Sequence, residues 1–554
     1  MRAADIVILN GVVSTMDPGN PTAEAVAITN GRIVAVDSTE HVVSLRGPNT
    51  AVVDAAGNSV VPGFIESHMH LFLGGAELAH LQLAGVSGET LLRDRVSSYA
   101  RGMPDSSIVL AQGADYQMLS RDEPITRHIL DRIVPDRPFA MTAFDHHTMW
   151  ANTKALERAG ILHGIQLPPG NEVVMGTDGI ATGELREFEA MEPLYAAAGE
   201  GRVRLGLVTG GEPENSPTPQ ERDFDRATLL KGLEHCARHG ITSFHNMDGN
   251  FYQLDLLSDL LSEGKLAVRA RLPFHYRRQM PLVALEKACE MRERCQSDWI
   301  TAGMVKIFMD GVIDTRTAGM LDDYEDMPGH RGQFFFDTTH FNEVATYADK
   351  LQLQIAVHAT GDGAVRRVLD GYEAAIFANG RRDSRHRIEH VEVISETDIK
   401  RFHELGVIAS MQPPHPPGTI GVPLEPTLSR IGPSRIPHFY AGKALQDAGA
   451  RLAFGSDWPV ASIDPIFGIH AAVTRRPWRA GDPEQKFSIL EALHGYTAGG
   501  AFAEFNEHQK GKLKPGALGD LVVLSGNILS ASPDTICEIH PLITICGGRI
   551  TYQA

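Results

Sequence analysis

The sequence predicts an α/β protein built on a (β/α)8 TIM barrel, with a β module assembled from both chain ends and an insertion after the first barrel strand. Three observations predict it. Eight short apolar runs each end in a polar residue and alternate with helical stretches; the first sixty and last forty residues carry strand texture; and the stretch from about 80 to 225 breaks the alternation.

At the N-terminus, residues 5–9 (DIVIL), 25–28 (AVAI) and 32–36 (RIVAV) read as strands, punctuated by Asn10-Gly11 and Asn30-Gly31 turns. The C-terminus repeats the texture in 520–524 and 542–545, followed by a Gly547-Gly548 turn and 549–552, so both ends are expected to pair into one sheet domain. Between them the eight runs end near His70, Met247, His275, Asp310, His358, His390, Met411 and Asp457, with helical stretches such as 222–239 and 341–353 in the intervals. Eight parallel strands with helices outside close a barrel. The gap after the first run is far longer than a βα connection, so it must be an inserted region. It holds strand-like 108–111 and 139–143 and a loop-like stretch at 210–219.

Composition narrows the function classes. At 554 residues and 43% apolar content the chain can bury a large core and should fold as two or three domains. A net charge of −18, with no basic block, argues against binding nucleic acid or an anionic membrane. Five cysteines (Cys236, Cys289, Cys295, Cys537 and Cys546) form no CxxC pair, which suits a reducing compartment. Asp5 interrupts the only apolar stretch at the N-terminus, and no run approaches the length of a membrane span, so a soluble cytoplasmic protein is expected.

His68 and His70 close the apolar run 60–65, and the period of two sends both imidazoles to one face of a strand, where one metal ion can take both. A lone HxH also fits two ordinary polar histidines. His358, His390 and Asp457 stand at three further strand ends, however, and barrel active sites are assembled from the C-terminal ends of strands. Any one of them could be an ordinary residue in a chain with 24 histidines; together they describe a convergent site of the ligand types that zinc prefers. Lys306, in the fourth run, is the sixth member. Burial lowers an amine's pKa and exposes the neutral form, which can capture carbon dioxide as a carbamate able to bridge two cations. The alternative is an ion pair with Asp310 or Asp457.

The segments PGFIESHMH, VKIFMDG, AVHATGDGA, HRIEH and FGSDWP resemble the amidohydrolase superfamily, in particular its amidohydrolase-3 branch, which includes N-substituted formamide deformylases and YtcJ-like proteins. The resemblance runs nearly end to end, from ADIVILNG to KLKPGALGDLVVL. It implies a composite β-sandwich from 1–62 and 510–554, a metal-bearing barrel from 63–80 and 226–509, and an inserted α/β region at 81–225. It further implies that His68, His70 and Asp457 hold one metal, that His358 and His390 hold a second, and that a carboxylated Lys306 bridges two Zn2+ ions. Two departures stand out: Glu66 replaces the aspartate usual before HxH, and Gly519-Asp520 stands where Ala-Asp is commoner.

The function so implied is metal-dependent hydrolysis of a carbon–nitrogen bond other than a peptide bond in a small molecule. Asp457 is expected to serve as general base as well as ligand. Deaminase, lactonase or esterase chemistry on the same metal site, and a non-catalytic regulatory relative, are the alternatives. The oligomeric state stays open between monomer and homodimer. On the substrate side, the run 145–152 (DHHTMWAN) resembles the family's D-G-H-x-x-W-x-N segment with His146 in place of glycine. That makes His147 a candidate to polarise a substrate carbonyl, or else a loop histidine. Arg316 could meet a substrate carboxylate, or sit in a solvated pair. Trp458 could wall the pocket, or belong to the core. Asp310 and Asp362 could orient imidazoles, or act as turn and cap residues.

Overall fold

The computed structural model describes residues 3–120, 123–144, 146–168, 171–204, 211–213, 215–295 and 297–554; Asp145 and part of the 210–219 stretch fall outside these. The chain forms two compact units. One comprises the N-terminal segment up to Leu71, Pro219–Trp458 and Ser462–Ala554; the other comprises Phe72–Thr218 and Pro459–Ala461.

The first unit contains the (β/α)8 barrel. Its strands are β1 (Phe64–Met69), β2 (Ile241–Asn246), β3 (Arg269–His275), β4 (Ile300–Phe308), β5 (Gln354–Ala359), β6 (Arg387–His390), β7 (Ile408–Met411) and β8 (Arg451–Phe454), hydrogen-bonded in chain order and parallel throughout. Each expected run therefore ends within a few residues of its strand. β1 and β8 meet just past β8, where the Asp457 amide donates to the His68 carbonyl (2.8 Å) and the His70 amide to the Trp458 carbonyl (2.8 Å).

The outer helices follow local sequence rules. In Thr338–Lys350 the Asp337 side chain accepts the His340 amide at 2.9 Å, and Phe341, Val344, Ala345 and Ala348 bury one stripe at helical spacing. That cap starts the helix three residues before the expected 341. The first long helix begins at Pro219, ahead of the expected 222, because proline is tolerated in a first turn. Among the described residues no helix is long and apolar enough to cross a membrane.

The chain ends build two further sheets in this unit. One orders Arg32–Asp37, Ala25–Thr29, Ile6–Leu9 and Ala51–Asp54; the other orders Arg549–Gln553, Pro541–Cys546, Leu521–Leu524, Ser59–Pro62, Val12–Ser14 and Thr22–Ala23. Ile8 and Val26 of the first share an apolar core with Val13, Val60, Val523 and Ile545 of the second. Asp520 ties this region to the barrel: its carboxylate accepts two hydrogen bonds from Arg269 (2.7 and 3.0 Å) and the Gly547 amide (2.7 Å). Gly519 beside it has a steric reason to be glycine, since a Cβ there would lie 2.9 Å from Ile28 and 3.1 Å from the Gly31 carbonyl.

The second unit carries a six-stranded sheet ordered Glu172–Met175, Ala181–Arg186, Thr148–Ala151, Phe139–Ala143, Val109–Ala114 and Leu81–Gln82. Val109, Met141 and Trp150 pack in one core, while Leu110, Ala140 and Met149 pack in another, as alternation across a sheet requires.

The Arg269–Asp520 pair is almost fully buried on both sides. Removing one partner leaves an uncompensated charge, so Asp520→Ala is expected to lower unfolding stability by about 3–5 kcal/mol. The double change Arg269→Met with Asp520→Leu should cost less than the single one. Urea denaturation of the three proteins measures the difference.

Candidate metal centre

The six expected ligand residues project from five strands: His68 and His70 from the end of β1, Lys306 from β4, His358 from β5, His390 from β6 and Asp457 from just past β8. One Asp457 carboxylate oxygen, Oδ1, lies 3.2 Å from both His68 Nε2 and His70 Nε2, and Oδ2 lies 3.9 Å from the His390 ring. The His68 and His390 rings are 4.7 Å apart and those of His358 and His390 4.5 Å. His68, His390 and Asp457 each offer a ligand atom within 4.8 Å of the others. His390 and Asp457 both have left-handed backbone, with φ of 75° and 59°. Such strain is typical of residues whose side chains must be re-aimed at a functional centre.

Each imidazole has one nitrogen engaged by a protein acceptor. His68 Nδ1 meets Glu389 (2.7 Å), His70 Nδ1 meets Asp248 (2.9 Å), His358 Nε2 meets the Gly311 carbonyl (3.1 Å) and His390 Nδ1 meets Gln412 (2.9 Å). These bonds select the tautomer and leave the opposite nitrogen for an ion, the arrangement expected around a bound metal. Sequence reading missed Glu389, Asp248 and Gln412. All three stand at or just past strand ends, beside β6, β2 and β7, so the rule that found the ligands could have found them.

The electrostatics agree with a cation site. Burial pushes His358 down to about 3, aided by the Lys306 charge, and holds His390 well below the usual histidine range, so both rings stay neutral and able to ligate. Burial opposes charge on Asp457, but His68, His70 and His390 hold its carboxyl well below the usual range. Burial likewise works against a charged His70, yet Asp248 and Asp457 outweigh it and raise the ring to about 10. Two carboxylates that favour a proton there also favour a divalent ion, whose binding displaces that proton.

Lys306 is fully buried, its Nζ has no hydrogen-bond partner, and burial lowers its pKa against the pull of Glu389, Asp457 and Asp248. Its ammonium is thus paired with neither Asp310 nor Asp457. His68 Nε2 and Asp457 Oδ1 are likewise buried without hydrogen-bond partners. Buried polar atoms are rarely left unsatisfied; two candidate ligand atoms orphaned in one site are what a bound metal would satisfy. The donor set fits the group.

Glu66 supports the site from below. Its Oε1 accepts the His68 amide (3.1 Å) and the Ser456 amide (2.8 Å), joining β1 to the segment that carries Asp457. It is fully buried, and burial pushes its pKa up to about 8. The longer side chain that departs from the family pattern therefore still fulfils a supporting role.

The remaining candidates each have local partners. Asp310 accepts the Gly319, Thr360 and Gly361 amides and the Thr360 hydroxyl, anchoring two loops, with one oxygen 3.8 Å from His358. Asp362 opens a helix and accepts the Leu321 amide (2.8 Å). Arg316 forms an ion pair with Asp326 (2.6 Å). Trp458 is buried, with its ring 5.3 Å from that of His235. In the second unit, His147 Nδ1 lies 2.9 Å from Glu187, and His146 bonds Glu77 (2.9 Å).

The chain resembles known proteins over nearly its whole length. The model of the family described as the amidohydrolase family matches residues 51–552. Protein LONG AFTER FAR-RED 3 of Arabidopsis thaliana is 32% identical, over 99% of this chain and 92% of its own length. The N-substituted formamide deformylase of Arthrobacter pascens is 25% identical, over 99% and 98%. A solved structure described as an uncharacterized metal-dependent hydrolase of Pyrococcus horikoshii superposes with a TM-score of 0.71 at 25% identity, covering 96% of this chain and 99% of the other.

Replacing Glu66 by alanine leaves two buried amides without an acceptor, at about 1–3 kcal/mol each. Glu66→Ala is expected to lose stability and retain less metal after dialysis. Glu66→Gln, which keeps one carbonyl acceptor, should retain most of both, as measured by denaturation and by metal analysis of the same samples.

Proposed function

This chain belongs to the amidohydrolase family, and as a metal-dependent hydrolase of that family we propose that it cuts a carbon–nitrogen bond of an amide-like, non-peptide small molecule. The observation that carries the proposal is the buried, unpartnered Lys306 amine within electrostatic reach of Asp457 and Asp248, in a centre whose four imidazoles are each pinned by an acceptor on one nitrogen. Six ligand-type groups suit a two-ion centre with zinc as the natural ion. In this reading His68, His70 and Asp457 would hold one ion and His358 and His390 the other, and Lys306, carboxylated by carbon dioxide, would supply carbamate oxygens to the centre. A bound divalent ion lowers the pKa of water from about 15.7 to about 7 and polarises a carbonyl.

The chain's own groups do the rest. Glu389, Asp248, Gly311 and Gln412 hold the rings in one orientation, so little reorganisation is needed when charge develops. Asp457 accepts the proton of the attacking water and delivers it to the departing amine, a role worth about a hundredfold to ten-thousandfold in rate. Its position against both His68 and His70 supports placing it beside the ion they would hold. N-substituted formamides lead the substrate candidates because the Arthrobacter pascens relative is named for them. His147, Arg316 and Trp458 remain proposed substrate-side residues.

The test is a panel of N-substituted formamides, N-acyl amino acids, esters, lactones and aminated heterocycles, assayed with zinc-loaded protein. Turnover of a formamide or N-acyl compound to acid and amine is the expected result; ammonia released from an aminated ring, or turnover confined to esters and lactones, would overturn the bond assignment. Lys306→Ala is expected to lose bound metal and activity together. Unchanged metal content and rate would make Lys306 a core lysine.

A further inference from the structure

The metal centre occupies the C-terminal ends of the barrel strands. At the opposite end lies a separate cavity of about 610 Å³, lined by the start of β4 (Thr301, Ala302, Gly303), by Arg271 of β3, by Gln352 and Gln354 at the start of β5, and by Glu504 and Lys510. Its volume is that of a small-molecule site, and its wall is strongly polar.

The charges on this wall do not balance. Arg382 is paired with Asp349, Lys510 with Glu504 and Asp298 with Arg32. Arg271 and Arg292 have no such partner among the described residues. Arg271 is only 5% exposed, and its guanidinium donates to the Gln354 side-chain oxygen (3.0 Å) and the Glu504 carbonyl (3.4 Å), both neutral, while its Nε donates to nothing. Among the described residues Arg292 donates only to the Gln352 carbonyl (3.0 Å). Thr301 adds a buried hydroxyl without a partner. Gly303 makes room for this arrangement: its φ is +110°, and a Cβ there would lie 3.0 Å from Arg292 Cδ. A buried guanidinium facing neutral acceptors is costly unless an anion completes it, and a guanidinium fork matches the geometry of oxyanions. Burial, against the pull of Glu504, draws Arg271 down to about 10, a cost that a bound anion would relieve.

We propose that this cavity binds a small doubly charged oxyanion, a phosphate group or a dicarboxylate, held by Arg271 and Arg292 with Thr301 as a further donor. The site is distinct from the metal centre and does not depend on the reaction assigned to it. The polar wall also connects to that centre. Glu504 lies 3.7 Å from His245, His245 bonds Arg387 (2.8 Å), Arg387 bonds Glu389, and Glu389 holds His68. Buried polar groups thus run from the cavity wall toward His68, with His245 kept neutral by burial.

Isothermal titration of the zinc-loaded protein at low ionic strength, with inorganic phosphate in one arm and succinate in another, tests the site. Saturable binding of one anion per chain is expected in at least one arm. It should weaken about tenfold or more in Arg292→Gln and persist in His70→Ala, which disturbs the metal centre instead. Arg292 is half-buried and bonds a single carbonyl, so its variant should fold, whereas replacing the buried Arg271 would strand the Gln354 and Glu504 acceptors. No saturable binding in either arm, binding unchanged by Arg292→Gln, or binding lost in His70→Ala would overturn the proposal.

Discussion

Two backbone hydrogen bonds where β1 meets the segment after β8 set the geometry of everything around them. The Asp457 amide bonds the His68 carbonyl and the His70 amide bonds the Trp458 carbonyl, so the step that joins the barrel's first and last strands also brings Asp457 against both histidines. Glu66 reinforces the junction by accepting one amide from each side. The left-handed backbone at Asp457 costs about 1–3 kcal/mol, and such a conformation persists only where its surroundings over-determine it. Closure of the barrel supplies that constraint. Fold and candidate site are in this sense the same set of bonds.

Below the ligands the barrel interior is filled by charge as well as by hydrocarbon. Arg387 is fully buried on β6 and bonds both oxygens of Glu389 (2.5 and 2.9 Å), His245 on β2 (2.8 Å), the Ser67 carbonyl on β1 (2.6 Å) and Ser410 on β7 (2.7 Å). One guanidinium therefore ties four strands together across the interior. Burial opposes the charge on Glu389, but Arg387 and His68 hold its carboxyl well below the usual range. That fixed carboxylate in turn fixes the His68 ring. Buried ion networks of this kind are weak sources of stability, but they specify one arrangement strongly, because every partial arrangement strands a charge. A centre that must present four imidazoles in set orientations gains from such specification.

Much of this was legible in the chain. The positions of the barrel strands followed from apolar runs ending in polar residues, and the candidate ligand set followed from the rule that barrel strands deliver functional groups at their C-terminal ends. Element edges were less legible: the helix at Thr338–Lys350 starts early because Asp337 caps it, a contact that depends on one side chain rather than on periodicity. The bonds that orient the rings were missed because Glu389, Asp248 and Gln412 look like any other polar residues at strand ends. Arg316 shows the converse, since its pairing with Asp326 ten residues later is a loop closure that no period reveals. The departures at Glu66 and Gly519 were visible, but their reasons were not: each answers to a neighbour hundreds of residues away or across a turn.

The sequence by itself determined which residues can ligate, which strands carry them and in what order, because side-chain chemistry and the period of two are local properties. Only the tertiary structure decided that His68, His70 and Asp457 meet at 3.2 Å, that each ring is pinned by a particular acceptor, and that Lys306 is buried without a partner. Those facts arise from closing an eight-stranded ring, which brings residue 68 beside residue 457. Distance along the chain carries no information about that closure, whereas the hydrogen bonds that make it fix the site.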